Sequence, residues 1–347
     1  GLDNFVCNGD DVFLSGSITG PTSSGIWAAT GSGTFDDSTL LNATYTPSAT
    51  DTLAGSVTFL LSSTNNGNCI AETDLMTVTL TTRPIVISGI NDTVCANNPV
   101  YALSGTVLSG PGTGVWTTSG TGVFGDDSTL ITSYTPSTAD IDSGGVLIML
   151  TSTNTCSITD TFDLNIGPAP VVNAGADQVY CVNNPIVVLN GSVAGGTSTG
   201  IWTTNGTGTF DDPTLLGATY TPSSADTLIG LITFALTSTS NGLCNAEVDS
   251  VDVSFVLAPT VDAGVDQVVC ANFYVQLNGI LSGGSGLGVW STLGSGTFSD
   301  NTDMDAVYNF SVADTTAQFV DLVLSTPTSA GCLSVTDTLT INITPSP

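Results

Sequence analysis

Apolar and polar positions alternate over short stretches along the whole chain, and these stretches are rich in Val, Thr, Ile and Leu and bounded by Gly, Asn, Asp and Pro. A period of two predicts strands, not helices. In the third of four similar tracts it predicts strands over Val171–Ala174, Val187–Val193, Gly200–Thr204, Thr207–Phe210, Ala218–Thr221, Leu231–Thr239 and Val248–Val256. That set has the strand count of an immunoglobulin-type β-sandwich. No stretch sustains a helical period; Ser223–Leu228 makes at most a single helical turn.

The large residues sit on a repeating skeleton. Trp27, Trp116, Trp202 and Trp290 are each followed eight residues later by a Phe (Phe35, Phe124, Phe210, Phe298) and ten after that by a Tyr (Tyr45, Tyr134, Tyr220, Tyr308). Asp51, Asp140, Asp226 and Asp314 close the pattern six residues beyond the Tyr. Fixed large residues with varying filler mark a repeated domain. The expected fold is all-β, a tandem array of four immunoglobulin-like β-sandwich domains over 1–83, 84–168, 169–258 and 259–347. Short junctions such as Ile166-Gly-Pro-Ala-Pro-Val171 and Leu257-Ala-Pro-Thr-Val261 favour a semi-rigid rod. Domains of roughly 35–40 Å would give an array of about 150 Å. Gly1-Leu-Asp-Asn-Phe-Val-Cys7 aligns with Gly175-Ala-Asp-Gln-Val-Tyr-Cys181, so the first copy is expected to lack its first strand, and Thr344-Pro-Ser-Pro347 stops where a further linker would begin. Both ends read as the edges of a piece of a longer array.

Charge narrows the function. The 347 residues carry 30 Asp and Glu against one Arg, no Lys and no His, for a net charge of −29. Such a surface repels nucleic acid and anionic lipid, and no apolar run reaches the roughly 18 residues of a membrane span. Eight cysteines fall one pair to a repeat, Cys7/Cys69, Cys95/Cys156, Cys181/Cys244 and Cys270/Cys332, separated by 62, 61, 63 and 62 residues. This pattern predicts one disulfide inside each domain and an oxidising compartment. Reduced buried thiols are the alternative; zinc is disfavoured because there is no His and no Cys-x-x-Cys. Catalysis has little to work with: no His or Lys, and adjacent carboxylates such as Asp36/Asp37 and Asp211/Asp212, whose side chains point apart in an extended segment. No enzymatic activity is expected.

The carboxylates admit two readings. Asp37, Asp126, Asp212 and Asp300, two residues after each Phe, could ligate calcium together with Asp51, Asp140, Asp226 and Asp314. A third set, Asp3, Asn91, Asp177 and Asp266, lies near the junctions. Hard cations want several oxygens of this kind. The other reading makes these residues caps of turns, since Asp bonds its own backbone readily. The Gly-x-Gly after each Trp precedes a strand, not a helix, so it is expected to be a hairpin turn with glycines at positive φ and not a phosphate loop.

Asn173-Ala-Gly-Ala-Asp-Gln-Val-Tyr-Cys181, Ala218-Thr-Tyr-Thr-Pro-Ser-Ser-Ala-Asp226-Thr-Leu and the Gly-x-Trp-x-x-x-Gly-x-Gly-x-Phe string resemble the PKD-like or Ig-like repeats of giant cell-surface proteins of Bacteroidota, among them gliding adhesins. The resemblance covers all four copies, although the second departs in its opening string, Gly89-Ile-Asn-Asp-Thr-Val-Cys95. It implies export by the type IX route, an extracellular place on the bacterial surface, and a stalk or filament whose repeats mostly carry other, adhesive parts. It also implies O-glycosylation at Asp-Ser/Thr sites, with Thr52, Thr93, Thr227, Ser250, Thr315 and Thr338 as candidates. Expected partners are further repeats of the same chain, self-assembly into fibres, or a surface polysaccharide; the last would make the repeat itself the adhesive module. The recurring aromatics sit at core-like positions, which favours the stalk.

Overall fold

The computed structural model describes residues 2–110, 112–283, 286–329 and 331–346. The chain is all-β and forms two compact units, residues 1–168 and 169–347. Each unit holds two immunoglobulin-like sandwiches, each with its own core cluster.

In the third repeat a four-stranded sheet runs in the order Gln178–Cys181, Val248–Val256, Leu231–Thr239, Thr199–Thr204. Its first pair is parallel and the others are antiparallel. Facing it, Val187–Val188, Thr219–Thr221 and Thr209–Phe210 form a three-stranded sheet, and Val171–Asn173 pairs with Ser192–Ala194 in a ribbon. The two long strands form because every second residue is apolar: in Leu231–Thr239 the inward Ile232, Phe234 and Leu236 are all buried. Their partners across the ladder, including Val251 and Val253, are buried too. The other repeats reproduce the four- and three-stranded sheets with the same pairings.

The recurring aromatics fill the space between the sheets. The four Tyr rings are fully buried and the four Trp are at most 4% exposed. Each Phe meets its Tyr at a ring-centroid distance of 4.9–5.0 Å, in tilted or edge-on contact, a favoured aromatic geometry.

Three local expectations are corrected. The predicted strand Val187–Val193 is two strands in two sheets, Val187–Val188 and Ser192–Ala194, with Gly191 at the crossing. A Cβ on Gly191 would lie 2.6 Å from Trp202 Cζ2, so only glycine lets the chain pass the indole. The short strand Gln178–Cys181 was not predicted; it pairs with residues 75 positions away, and four residues carry no readable period. The helical turn is real and slightly shifted, Ser224–Ile229, with counterparts Ala49–Ala54, Thr138–Ser143 and Val312–Ala317.

Candidate functional site

Two constellations recur: a buried carboxylate in every sandwich, and a disulfide joining successive sandwiches within each unit.

The carboxylate is that of Asp51, Asp140, Asp226 and Asp314, all between 0 and 3% exposed. Each is the third residue of its short helix and forms a capping box with Ser48, Ser137, Ser223 or Ser311. In the third repeat Asp226 Oδ1 accepts from Thr207 N at 2.7 Å. Its Oδ2 accepts from Gly208 N at 2.9 Å, Ser223 N at 2.9 Å and Tyr220 Oη at 2.8 Å. The first repeat repeats this set with Ser32 N, Gly33 N, Ser48 N and Tyr45 Oη. Burial raises the pKa of Asp51 and Asp226, but the backbone and tyrosine donors outweigh it and bring both down to about 2. Asp140 and Asp314 are lowered for the same reasons. Burial, then the bond to the carboxylate, pushes Tyr45 and Tyr220 up to about 12.

The Gly-x-Gly motif therefore does cradle an anion, and the anion is the domain's own aspartate. The sequence-based reason for its glycines is corrected. Gly31, Gly33, Gly206 and Gly208 do not lie at positive φ. They are glycines because a Cβ would collide: at Gly206 with the Tyr220 hydroxyl, at Gly33 with the Thr46 carbonyl and the Tyr45 ring.

The remaining candidate ligands cap turns and strands. Asp37, Asp126, Asp212 and Asp300 each accept from the backbone N and the hydroxyl of the residue two positions on, at 2.6–2.9 Å. Asp3, Asn91, Asp177 and Asp266 each accept from a backbone N of their repeat's last strand at 2.8–3.0 Å. Among the described residues no group of three or more His, Cys, Asp or Glu side chains is placed to hold a metal ion. Of the glycosylation candidates, Thr93, Ser250 and Thr338 are exposed on strands. Thr52, Thr227 and Thr315 are half-buried, with hydroxyls donating to carbonyls of their own helical turn.

The cysteine pairing differs from the expected one-per-domain pattern. Cys7 is bonded to Cys156 and Cys181 to Cys332, with Cα–Cα distances of 5.6 and 4.8 Å. Cys95 and Cys244 are also disulfide-bonded, whereas Cys69 and Cys270 are free thiols. The expected pairs Cys7/Cys69, Cys95/Cys156, Cys181/Cys244 and Cys270/Cys332 are thus not formed. The reason is geometric. Cys7 ends its strand opposite Thr81, the last residue of Thr73–Thr81, while Cys69 lies in the loop before Thr73. Eight steps along a strand separate those ends by roughly 25 Å, far beyond the reach of a disulfide. The strand-end cysteine instead meets the loop cysteine of the next sandwich. Around Cys181–Cys332, Asn183 and Leu333 exchange two hydrogen bonds of 3.1 Å, and Asn184 Nδ2 donates to Gly331 O at 3.2 Å. On chain-entropy grounds each bridge, closing a span of about 150 residues, stabilises its unit by about 5 kcal/mol.

Arg83 donates to both carboxylate oxygens of Asp10 at 2.7 and 2.8 Å. No helix among the described residues is long and apolar enough to cross a membrane.

No protein-family model and no curated protein matches the sequence. Solved structures that resemble the chain include the I67–I69 fragment of the titin I-band, at 9% identity over 75% of this chain and 98% of that one, with a TM-score of 0.40. The eight N-terminal Ig domains of Down Syndrome Cell Adhesion Molecule match at 10% identity over 99% of this chain and 48% of theirs, TM-score 0.40. Protocadherin Gamma B2 cadherin domains 3–6 match at 15% identity over 99% and 98%, TM-score 0.33. At these values the likeness assigns no ligand or partner to this chain.

Proposed function

We propose that the chain is a structural segment of an extracellular stalk, whose repeats transmit tension and hold other parts of the assembly away from a surface. The observation that carries this reading is the bridge between sandwiches. A disulfide inside a domain stabilises that domain, whereas Cys7–Cys156 and Cys181–Cys332 tie one sandwich to its successor and restrain their junction. Persistent disulfides belong to oxidising compartments outside the cytosol. The resemblance to repeats of Bacteroidota surface proteins extends the proposal to a bacterial cell surface reached by type IX secretion. A sugar-binding repeat would want aromatic faces in solvent, and the recurring Trp and Tyr are buried, so the stalk is preferred over the adhesive module.

The test is force spectroscopy on the intact chain pulled from its ends. Each bridge removes some 150 residues from the extensible length, close to 500 Å of contour. Oxidised molecules are expected to yield correspondingly less extension than reduced ones and to keep their sandwiches folded to higher force. Equal unfolding forces in the two states would end the tension-bearing reading.

A further inference from the structure

The two free cysteines are not equivalent leftovers. Cys270 is the strand-end cysteine of its repeat, the counterpart of Cys7 and Cys181; Cys69 is a loop cysteine, the counterpart of Cys156 and Cys332. They are the two complementary halves of one more bridge.

The local backbone hydrogen bonds at both thiols follow the pattern at a bonded counterpart. At the strand end, Phe273 N donates to Cys270 O at 3.0 Å and Ala271 N to Thr344 O at 2.9 Å. This repeats Asn184 N to Cys181 O and Val182 N to Val256 O, each within 0.1 Å. In the loop, Cys69 N donates to Asn66 O at 3.1 Å, as Cys332 N does to Ser329 O at 2.8 Å. The surroundings differ where a partner is due. Cys156 and Cys332 are 2 and 3% exposed, whereas Cys69 is exposed and the neighbouring Ile70 is 91% exposed.

The surfaces next to the thiols are also complementary. Phe273 and Tyr274 follow Cys270 and stand 62 and 61% exposed. Beside Cys69 lies a hollow of about 170 Å³ lined by Ile18, Pro21, Asn66 and Ile70 among others. In the formed joint Asn184 reaches the carbonyl of Gly331. The same register would place Phe273, which takes the position of Asn184, against Asn68, the residue before Cys69. Asn272, in turn, takes the position of Asn183 and would clasp the backbone of Ile70.

We propose that Cys270 and Cys69 are the two halves of a further joint of the kind seen within each unit, so that Cys270 bonds the loop cysteine of a sandwich that follows it, and a second copy of this chain, offering Cys69 in that place, is captured head to tail. A head-to-tail contact leaves one unused half at each end and so propagates unless its rotation closes a ring. The oxidant is a small-molecule disulfide such as oxidised glutathione. The Cys270 thiolate attacks one of its sulfurs and expels a glutathione thiolate; the Cys69 thiolate of the second copy then attacks the Cys270 sulfur of the mixed disulfide and expels the other glutathione. Two protein thiols lose two electrons and two protons, and one disulfide becomes two thiols. The assembly does not depend on whether the chain bears tension.

The experiment uses the full chain in a glutathione redox buffer, with intact mass confirming that Cys7–Cys156 and Cys181–Cys332 persist. The wild-type chain is expected to give a ladder of reducible oligomers. Cys69→Ser and Cys270→Ser, each alone, are expected to remain monomers over the same interval. Their equimolar mixture is expected to stop at a dimer that yields a Cys270–Cys69 cross-linked peptide, forming at least ten times faster than either homodimer. Homodimers as fast as the mixed dimer, or no mixed dimer at all, would overturn the proposal.

Discussion

Tyr220 Oη donates a 2.8 Å hydrogen bond to Oδ2 of Asp226, and neither residue has any measurable exposure to solvent. The pair locks the Gly206–Gly208 turn, the Ser223 cap and the Thr219–Thr221 strand to one buried charge. Asp226→Ala strands three backbone N–H donors in the interior and is expected to cost about 3–5 kcal/mol; Tyr220→Phe removes one bond to a charged group and costs about 1.5–3 kcal/mol. Denaturant titration followed by tryptophan fluorescence would show an early transition for the first variant and a smaller shift for the second. If Asp226→Ala unfolds with the wild-type midpoint, the carboxylate is not the organising group.

The same network sets a pH window. The folded pKa of Asp51 and Asp226 is lowered to about 2, against about 3.9 unfolded. Their contribution is full above that unfolded value and is lost as pH falls through about 2. The folded pKa of Tyr45 and Tyr220 is raised to about 12, so the tyrosines' contribution is full below about 10 and is lost as pH rises through about 12. Thermal melts are expected to be level from about pH 5 to 9 and to drop at both extremes, with Tyr220→Phe removing part of the alkaline drop.

Gln318 breaks a pattern set by Gly55, Gly144 and Gly230. All four close a helix in the left-handed region, Gln318 with φ 60°. A side chain there costs about 1 kcal/mol. Gln318→Gly is expected to stabilise the fourth sandwich by about 0.5–1 kcal/mol, read as a rise in the denaturant midpoint of its transition; a fall would mean that the Gln318 side chain makes a compensating contact.

Calcium makes a further prediction. The Asp residues that sequence spacing offered as ligands are spread over separate turns, each already accepting backbone or hydroxyl bonds from its own loop. Adding millimolar calcium or excess EDTA is therefore expected to leave the melting temperature within about 1 °C, because ligand stabilisation scales with occupancy. A saturable rise of several degrees would show ion sites that these carboxylates assemble after all.

What could be read from the sequence was whatever lies within one strand or one turn. Alternation over Leu231–Thr239 and Val248–Val256 reproduces both strands to the residue, and the Trp, Phe and Tyr spacing marks the core. The Asp closing each pattern is recognisable as a cap, since Ser and Asp three apart are a local signature. Its burial is not, because the donors that make burial tolerable come from a turn 18 or 19 residues away. Gly191 could have been noticed: a glycine stands eleven residues before every Trp, as Gly16, Gly105, Gly191 and Gly279, each against the indole. The cysteine pairing was beyond reach. A periodic chain offers a loop cysteine in the same repeat and another in the next, and only the opposite placement of the two cysteines on each sandwich decides between them.

That placement has a consequence for chemical damage. Cys7–Cys156 spans most of the first sandwich, its linker and most of the second. A protease that cuts any peptide bond between residues 7 and 156 leaves both fragments attached through sulfur. Residues 181–332 have the same protection. Within either span, parting the strand takes a backbone cut and a reductant together.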